Sequence, residues 1–162
     1  ELPGLKTFAT LSPLPGFRLW LDGQIDAAAD DLVTAAEAKA MMALTGTDSG
    51  TAALRAMLQS DWETDEVSSV RMQKPLTRLC ARYLLVEKRS GRPLDAVARF
   101  HLSNGARIER INWLADTSRR GIQQSAGMMI NYLYKLDEIE TNHEAFSGEG
   151  QVMAASAVRA LL

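Results

Sequence analysis

A single cysteine, Cys80, in 162 residues has no partner for an internal disulfide, and it falls in the apolar stretch from Leu76 to Val86 rather than beside a second metal-type ligand. A reducing compartment fits this usage. No run of about 18 apolar residues occurs, which excludes a membrane-spanning helix, and the N-terminus has no signal-peptide pattern. The two histidines, His101 and His143, have no partner at HExxH or CxxC spacing, so metal chemistry is not signalled. There is no Walker loop, no GxGxxG and no Gly-x-Ser-x-Gly elbow. Neither sign of charge dominates: a net charge of -2 gives no basic field to attract a phosphate backbone, so nucleic acid is not an expected partner.

What remains is a chain able to bury a core, with 46% hydrophobic and 23% charged residues. The pattern predicts an α+β, predominantly helical domain. Lys6 to Ser12 reads as a strand stopped by Pro13, Pro15 and Gly16. The alanine-rich stretch from Asp26 to Leu44 favours helix, Thr45 to Gly50 a loop, and Thr51 to Gln59 a second helix. Asp65 begins a further helical piece, and Pro75 is placed in the first turn of a longer helix whose core stripe is Leu76, Leu79, Cys80, Tyr83 and Leu84. Ser90 to Pro93 breaks it. A short helix from Leu94 to Arg99 precedes the Ser103-Asn104-Gly105 turn, and Ala106 to Leu114 is the second strand. One of Asp116, Thr117 and Ser118 caps a helix expected to reach Tyr134, with Met128, Met129, Tyr132 and Leu133 on its apolar side. Further helices are predicted over Asp137 to Phe146 and Gln151 to Leu162. Two strands alone make a marginal sheet, so they are expected to pair with strands outside this chain. The chain also opens at Glu1 without an initiator methionine, so an upstream portion is expected.

From the residues alone, His143 sits in a polar helical stretch and reads as solvated. His101, between Phe100 and Leu102 ahead of a tight turn, is where a loop can aim an imidazole into a cleft. Ser12 precedes a proline at a strand end, which suits either a turn residue or a ligand contact. Asp30 with Asp31, and Glu138 with Glu140, read as exposed helix decoration. Arg119-Arg120 reads the same way, with anion binding left open.

Four blocks carry a likeness. In order along the chain, Phe8-Ala-Thr-Leu-Ser-Pro-Leu-Pro-Gly-Phe17, Leu79-Cys-Ala-Arg-Tyr-Leu84, Val97-Ala-Arg-Phe-His-Leu-Ser-Asn-Gly-Ala106 and Arg110-Ile-Asn-Trp-Leu-Ala-Asp116 resemble the signature blocks of malonyl-CoA decarboxylases. Gly121 to Tyr134, with Ser125, Gly127, Asn131, Tyr132 and Tyr134, continues it. The resemblance implies the C-terminal part of a catalytic domain with an acyl-CoA N-acetyltransferase-like (GNAT-like) fold, occupying residues 1–162 with a helical insert at about 24–72. It places a helical self-association domain and the glycine-containing turn that holds coenzyme A upstream of this chain. A homo-oligomer is therefore implied for the full-length protein, and the isolated chain is expected to be inactive.

By the same resemblance, the catalytic positions fall on Ser12 and His101, and substrate-binding positions on those two with Tyr134 and Asn131. The substrate is malonyl-CoA, the products acetyl-CoA and carbon dioxide. Neither a metal nor an organic cofactor is implied, because coenzyme A is part of the substrate. In this scheme protonated His101 donates to the enolate carbon, while Ser12 orients His101 or binds the malonyl carboxylate. The competing readings are an acyl-CoA-dependent acyltransferase, which shares the implied fold, and an inactive helical interaction fragment with an exposed sheet edge. Ala160-Leu161-Leu162 is not a Ser-Lys-Leu peroxisomal signal, so the expected compartment is cytoplasmic.

Overall fold

The computed structural model describes residues 3–162. Its elements run β1 (Thr7–Pro13), α1 (Phe17–Asp26), α2 (Ala35–Thr45), α3 (Gly50–Gln59), α4 (Glu66–Leu85), β2 (Lys88–Arg89), β3 (Arg92–Pro93), α5 (Ala96–Ser103), β4 (Arg107–Asn112), α6 (Arg119–Ser125), β5 (Met129–Lys135), α7 (Ile139–Glu149) and α8 (Ser156–Arg159). The fold is α+β. Among the described residues, no helix is long and apolar enough to cross a membrane.

The sheet corrects the largest expectation. The helix predicted to run to Tyr134 stops at Ser125, and Met129–Lys135 is instead a strand, the central one of a three-stranded antiparallel sheet ordered β1-β5-β4. Ala126 takes a left-handed conformation at φ 50° and Gly127 follows at φ 78°, which ends the helix and frees Met128 to start an extended segment. Along β5, Ile130, Tyr132 and Tyr134 are buried while Met129, Asn131, Leu133 and Lys135 are half-buried. That alternation is a sheet period, not a helical one. The chain therefore supplies its own third strand, although β1 remains an edge with Phe8 and Leu11 exposed.

Other boundaries move for identifiable reasons. The single helix expected over Asp26 to Leu44 is replaced by the end of α1, a turn and α2. Thr34 and Glu37 form a reciprocal capping box that starts α2 at Ala35, and Gly46 in a left-handed conformation ends it. Pro75 is not in a first turn: α4 starts nine residues earlier, at Glu66 behind the Asp65 cap, and runs through it. The buried proline ring joins Met72, Leu76 and Leu79 on the core face, where packing offsets the hydrogen bond that proline cannot make. The stripe of Leu76, Leu79, Cys80, Tyr83 and Leu84 is buried as the spacing predicts. Ser90-Gly91 is the tip of the β2–β3 hairpin. The predicted C-terminal helix over Gln151 to Leu162 shrinks to α8, because Met153 to Ala155 lie along β4 instead. Ile108 N donates to the Met153 carbonyl at 2.9 Å, and Ala155 N donates to the Ile108 carbonyl at 2.8 Å.

The long helix α4 backs the core. Phe17, Leu21 and Ile25, at i, i+4 and i+8, bury one face of α1, and Phe17 with Trp20 packs against Tyr83 of α4. α2 packs on α4, where Glu37 is tied to Arg78, and α3 packs on α2. These contacts leave β1, β5 and α5 to frame the polar cluster.

Candidate active site

Antiparallel register places Phe8 opposite Tyr134, Thr10 opposite Tyr132 and Ser12 opposite Ile130. Because side chains alternate across a strand, these six share one face of the sheet. α5 lies on that face and brings His101 to it. Ser12 Oγ is 3.1 Å from His101 Nε2, and His101 Nδ1 is 2.6 Å from Tyr134 Oη. Thr10 Oγ1 lies 3.0 Å from Ser12 Oγ and extends the chain of polar atoms. Beneath the imidazole, the Tyr132 ring is stacked at 4.3 Å and 19°. Phe8 in turn stacks on Tyr134 at 4.7 Å. Ser12 is 7% exposed and His101 8%, so both are shielded yet still reach the surface.

His101 stands on a helix, not on the loop expected for it. Asp95 caps α5 by accepting the Ala98 amide at 2.9 Å, which sets the helix from Ala96 to Ser103 and puts His101 in its last turn. A rigid element holds an imidazole more accurately than a loop does.

The electrostatics of the cluster follow from its partners. Burial pushes the His101 imidazole below its ordinary range, and among the described residues no carboxylate touches the ring to oppose this. Burial likewise raises the Tyr134 phenol. Both ring nitrogens face hydroxyls, and a hydroxyl can donate or accept. The cluster therefore accommodates either protonation state of His101, unlike a serine-histidine-aspartate triad, in which an anion stabilises the imidazolium.

Asn131 is not brought to this cluster. It points to the opposite face of β5, where its Nδ2 donates to the Thr10 carbonyl at 3.0 Å and its Oδ1 accepts from Asn112 Nδ2 at 2.8 Å. Its visible work is to tie all three strands together behind Ser12. His143 is exposed, as its polar surroundings predict, and its Nδ1 faces the Ser103 carbonyl at 2.6 Å. Arg119 and Arg120 are exposed at the start of α6, behind the Ser118 cap. Glu138 is more than decoration, since it binds both Lys135 and Arg107.

Two supporting residues were not read from the sequence. Thr10 had a signal, because two residues from Ser12 on a strand means the same face. Asp95 had a weaker one, an acid directly before an alanine-rich helical stretch. It is 1% exposed and burial raises its pKa, while the amides of Ala98, Val97 and Gly16 and the Tyr83 hydroxyl pull the other way. Asp95 thus links the end of the Ser12 turn, α4 and the first turn of the His101 helix.

Gly16 makes that convergence possible. A Cβ there would run into Tyr83 Oη, although its φ of -92° is open to any residue. Gly16→Ala is therefore expected to destabilise by roughly 1–3 kcal/mol through overpacking, not through backbone strain. A chemical denaturation midpoint equal to wild type would remove this account.

Residues 1–162 match the family model described as malonyl-CoA decarboxylase C-terminal domain. The chain is 41% identical over 164 residues to malonyl-CoA decarboxylase, mitochondrial, of Anser anser anser, covering 98% of this chain and 32% of that protein. It is 39% identical over 168 residues to the Rattus norvegicus protein of the same name, covering 100% of this chain and 34% of the relative. The crystal structure of malonyl-CoA decarboxylase from Rhodopseudomonas palustris superposes with a TM-score of 0.84 at 45% identity, over 99% of this chain and 34% of that one. The Agrobacterium vitis structure does so with a TM-score of 0.81 at 41% identity, over 99% and 36%. The chain spans about a third of the length of these relatives. With the model match running end to end, this chain belongs to the malonyl-CoA decarboxylase family.

Proposed function

We propose that the protein carrying this chain decarboxylates malonyl-CoA to acetyl-CoA, and that the chain contributes the proton-transfer half of the active site. The observation that supports this most is the Ser12–His101–Tyr134 chain of contacts at 3.1 and 2.6 Å, with no carboxylate on the imidazole among the described residues. In the reaction the bond between the carboxylate carbon and the α-carbon breaks and carbon dioxide leaves. The electron pair passes to the α-carbon and is shared with the thioester oxygen as an enolate. His101 as imidazolium gives its proton to the α-carbon, forming the methyl group of acetyl-CoA, and is recharged from solvent. Atoms and charge balance with one proton consumed, so no cofactor beyond the coenzyme A of the substrate enters the scheme.

A buried histidine with a lowered pKa is an incomplete acid until substrate arrives. The malonyl carboxylate supplies the missing charge: an anion near the ring favours the imidazolium and opposes desolvation. Of the roles open to Ser12, the contact with Nε2 supports orientation of the ring. Tyr134 holds the opposite nitrogen and presents its ring, stacked on Phe8, along the same face.

This scheme has a pH signature. Activity requires the charged imidazole, so rate is lost as pH rises through the His101 pKa. In free enzyme that pKa is depressed, and bound malonyl-CoA raises it, so the fall in kcat should lie at higher pH than the fall in kcat/KM. Profiles in which the two limbs coincide would remove the substrate carboxylate from the argument.

The domain reading accompanies this proposal. Residues 1–162 form the C-terminal part of one catalytic domain of GNAT-like type, with α2, α3 and the first turns of α4 as the helical insert, and the coenzyme A turn and a self-association domain upstream. The free edge of β1 and the short sheet support a continuation of the strands. A homo-oligomeric whole protein and a cytoplasmic compartment belong to the same proposal, beside goose and rat relatives whose names place them in mitochondria. The deciding experiment compares carbon dioxide release from malonyl-CoA by this chain and by a protein extended upstream. Activity in the extended protein alone is the expected result. Acyl-CoA binding there without carbon dioxide release would overturn the proposal, and acetyl transfer to an amine would replace it.

A further inference from the structure

Tyr132 sits in the middle of the sheet, opposite Thr10 of β1 on one side and Ile108 of β4 on the other. It is fully buried, and its ring lies nearly parallel to the His101 imidazole. Phe100 and Tyr134 meet the same imidazole edge-on, at 77° and 69°. The Tyr132 hydroxyl is buried without a hydrogen-bond partner among the described residues, an arrangement that weakens the fold relative to phenylalanine. Stability of the core does not account for the hydroxyl, and what Tyr132 offers His101 is the face of its ring.

We propose that Tyr132 is a positioning residue for His101, whose ring fixes the plane in which Nε2 reaches Ser12 and Nδ1 reaches Tyr134 and whose face favours the imidazolium. This rests on the reading of His101 as the proton donor. The groups facing His101 leave the role open for a ring face. β5 presents the phenols of Tyr132 and Tyr134, and β1 presents the Ser12 hydroxyl with that of Thr10 behind it. α7, packed on α5, turns His143 to the Ser103 carbonyl, and Asp95 is engaged in capping α5. With no acid beside the ring among the described residues, the quadrupole of Tyr132 is the feature that lessens the cost of charging it.

The test uses the full-length protein and two readouts. One is the pH midpoint for modification of His101 by diethyl pyrocarbonate, followed by peptide mass spectrometry. The other is kcat and KM for carbon dioxide release. Tyr132→Phe keeps a ring and is expected to leave both unchanged within about twofold, with equal or higher thermal stability. Tyr132→Leu removes the ring and is expected to lower the modification midpoint by about half a unit, as loss of a cation–π contact predicts. Its kcat should fall by about tenfold or more while KM stays near wild type, the pattern of a misplaced proton donor. If the leucine variant fails to fold, Tyr132→Met fills the space with a flexible side chain and serves in its place. An unmoved midpoint in the ringless variant, or a phenylalanine variant as impaired as it, overturns the proposal. A shifted midpoint in a protein that releases no carbon dioxide even as wild type leaves Tyr132 its role and overturns the function instead.

Discussion

His101→Ala, in a protein carrying this chain together with its upstream portion, is expected to lower kcat for carbon dioxide release by roughly 100- to 10,000-fold. The range is that of a general acid removed from its place. Affinity for acetyl-CoA should change little, because among the described residues the His101 ring nitrogens are held by Ser12 and Tyr134 and its faces and edges by aromatic rings. His101→Gln is the sharper variant, since an amide can hydrogen-bond to Ser12 and Tyr134 but cannot cycle a proton near neutral pH. Ser12→Ala should fall in the same direction, since it leaves Nε2 without its hydroxyl and the ring free to turn. Isotope-labelled carbon dioxide release checks all three at a saturating substrate concentration. Wild-type turnover in either His101 variant would end its assignment as proton donor. Loss of coenzyme A binding with kcat intact would move it from the chemistry to the binding of the thioester.

The second large effect is on stability. Arg78→Leu is expected to destabilise by roughly 3–5 kcal/mol, the range for breaking one side of a buried ion pair. The Arg78 guanidinium donates from Nε to Glu37 Oε1 at 2.9 Å and from Nη2 to Oε2 at 2.7 Å, and Nη2 also reaches the Leu32 carbonyl at 2.8 Å. The Glu37 side chain is only 5% exposed, so its charge without Arg78 has little water to turn to. Burial alone would raise the Glu37 pKa, but the Arg78 and Thr34 hydrogen bonds overcome it and hold the group below its usual value. The sign follows: this carboxylate contributes stability above the unfolded pKa of about 4.3, and the contribution is lost as pH falls through the lowered folded value. Chemical denaturation at pH 7 and in mild acid should show the gap between wild type and Arg78→Leu narrowing as pH drops. The double variant Glu37→Leu, Arg78→Leu should recover much of the loss, though not the bond to Leu32. A constant gap across pH would mean that packing, not charge, carries the effect.

How far the site was legible depends on what each residue needed. Ser12 was legible because a strand stopped by Pro13 and Pro15 has to end near it, and β1 ends at Pro13. His101 was legible as a histidine near a turn and, by resemblance, as a catalytic position. Its seat in the last turn of α5 was not, because the Asp95 cap that starts this helix is a local hydrogen bond of modest energy that competing turns could replace. α1 was also unread, since its evidence is only Phe17, Leu21 and Ile25 in ten residues.

The sequence by itself determined the α+β class, the core stripe of α4, the helix start at Asp65 and, through four blocks in order, the family, while it left the cap of α6 open among Asp116, Thr117 and Ser118. The stripe and the helix start rest on spacing within a few residues, and local periods survive whatever the rest of the chain does, while the family rests on the resemblance of the blocks. Only the tertiary structure decided that Met129–Lys135 is the central strand. Met-Ile-Asn-Tyr-Leu-Tyr-Lys satisfies a helical face as readily as an alternating one, and the choice fell to hydrogen bonding with β1 and β4 on both sides. That choice makes the site, because a helix would have scattered Tyr132 and Tyr134 around its axis. As a strand, β5 sets both rings on one face, one beneath His101 and one at its Nδ1, opposite the strand that carries Ser12.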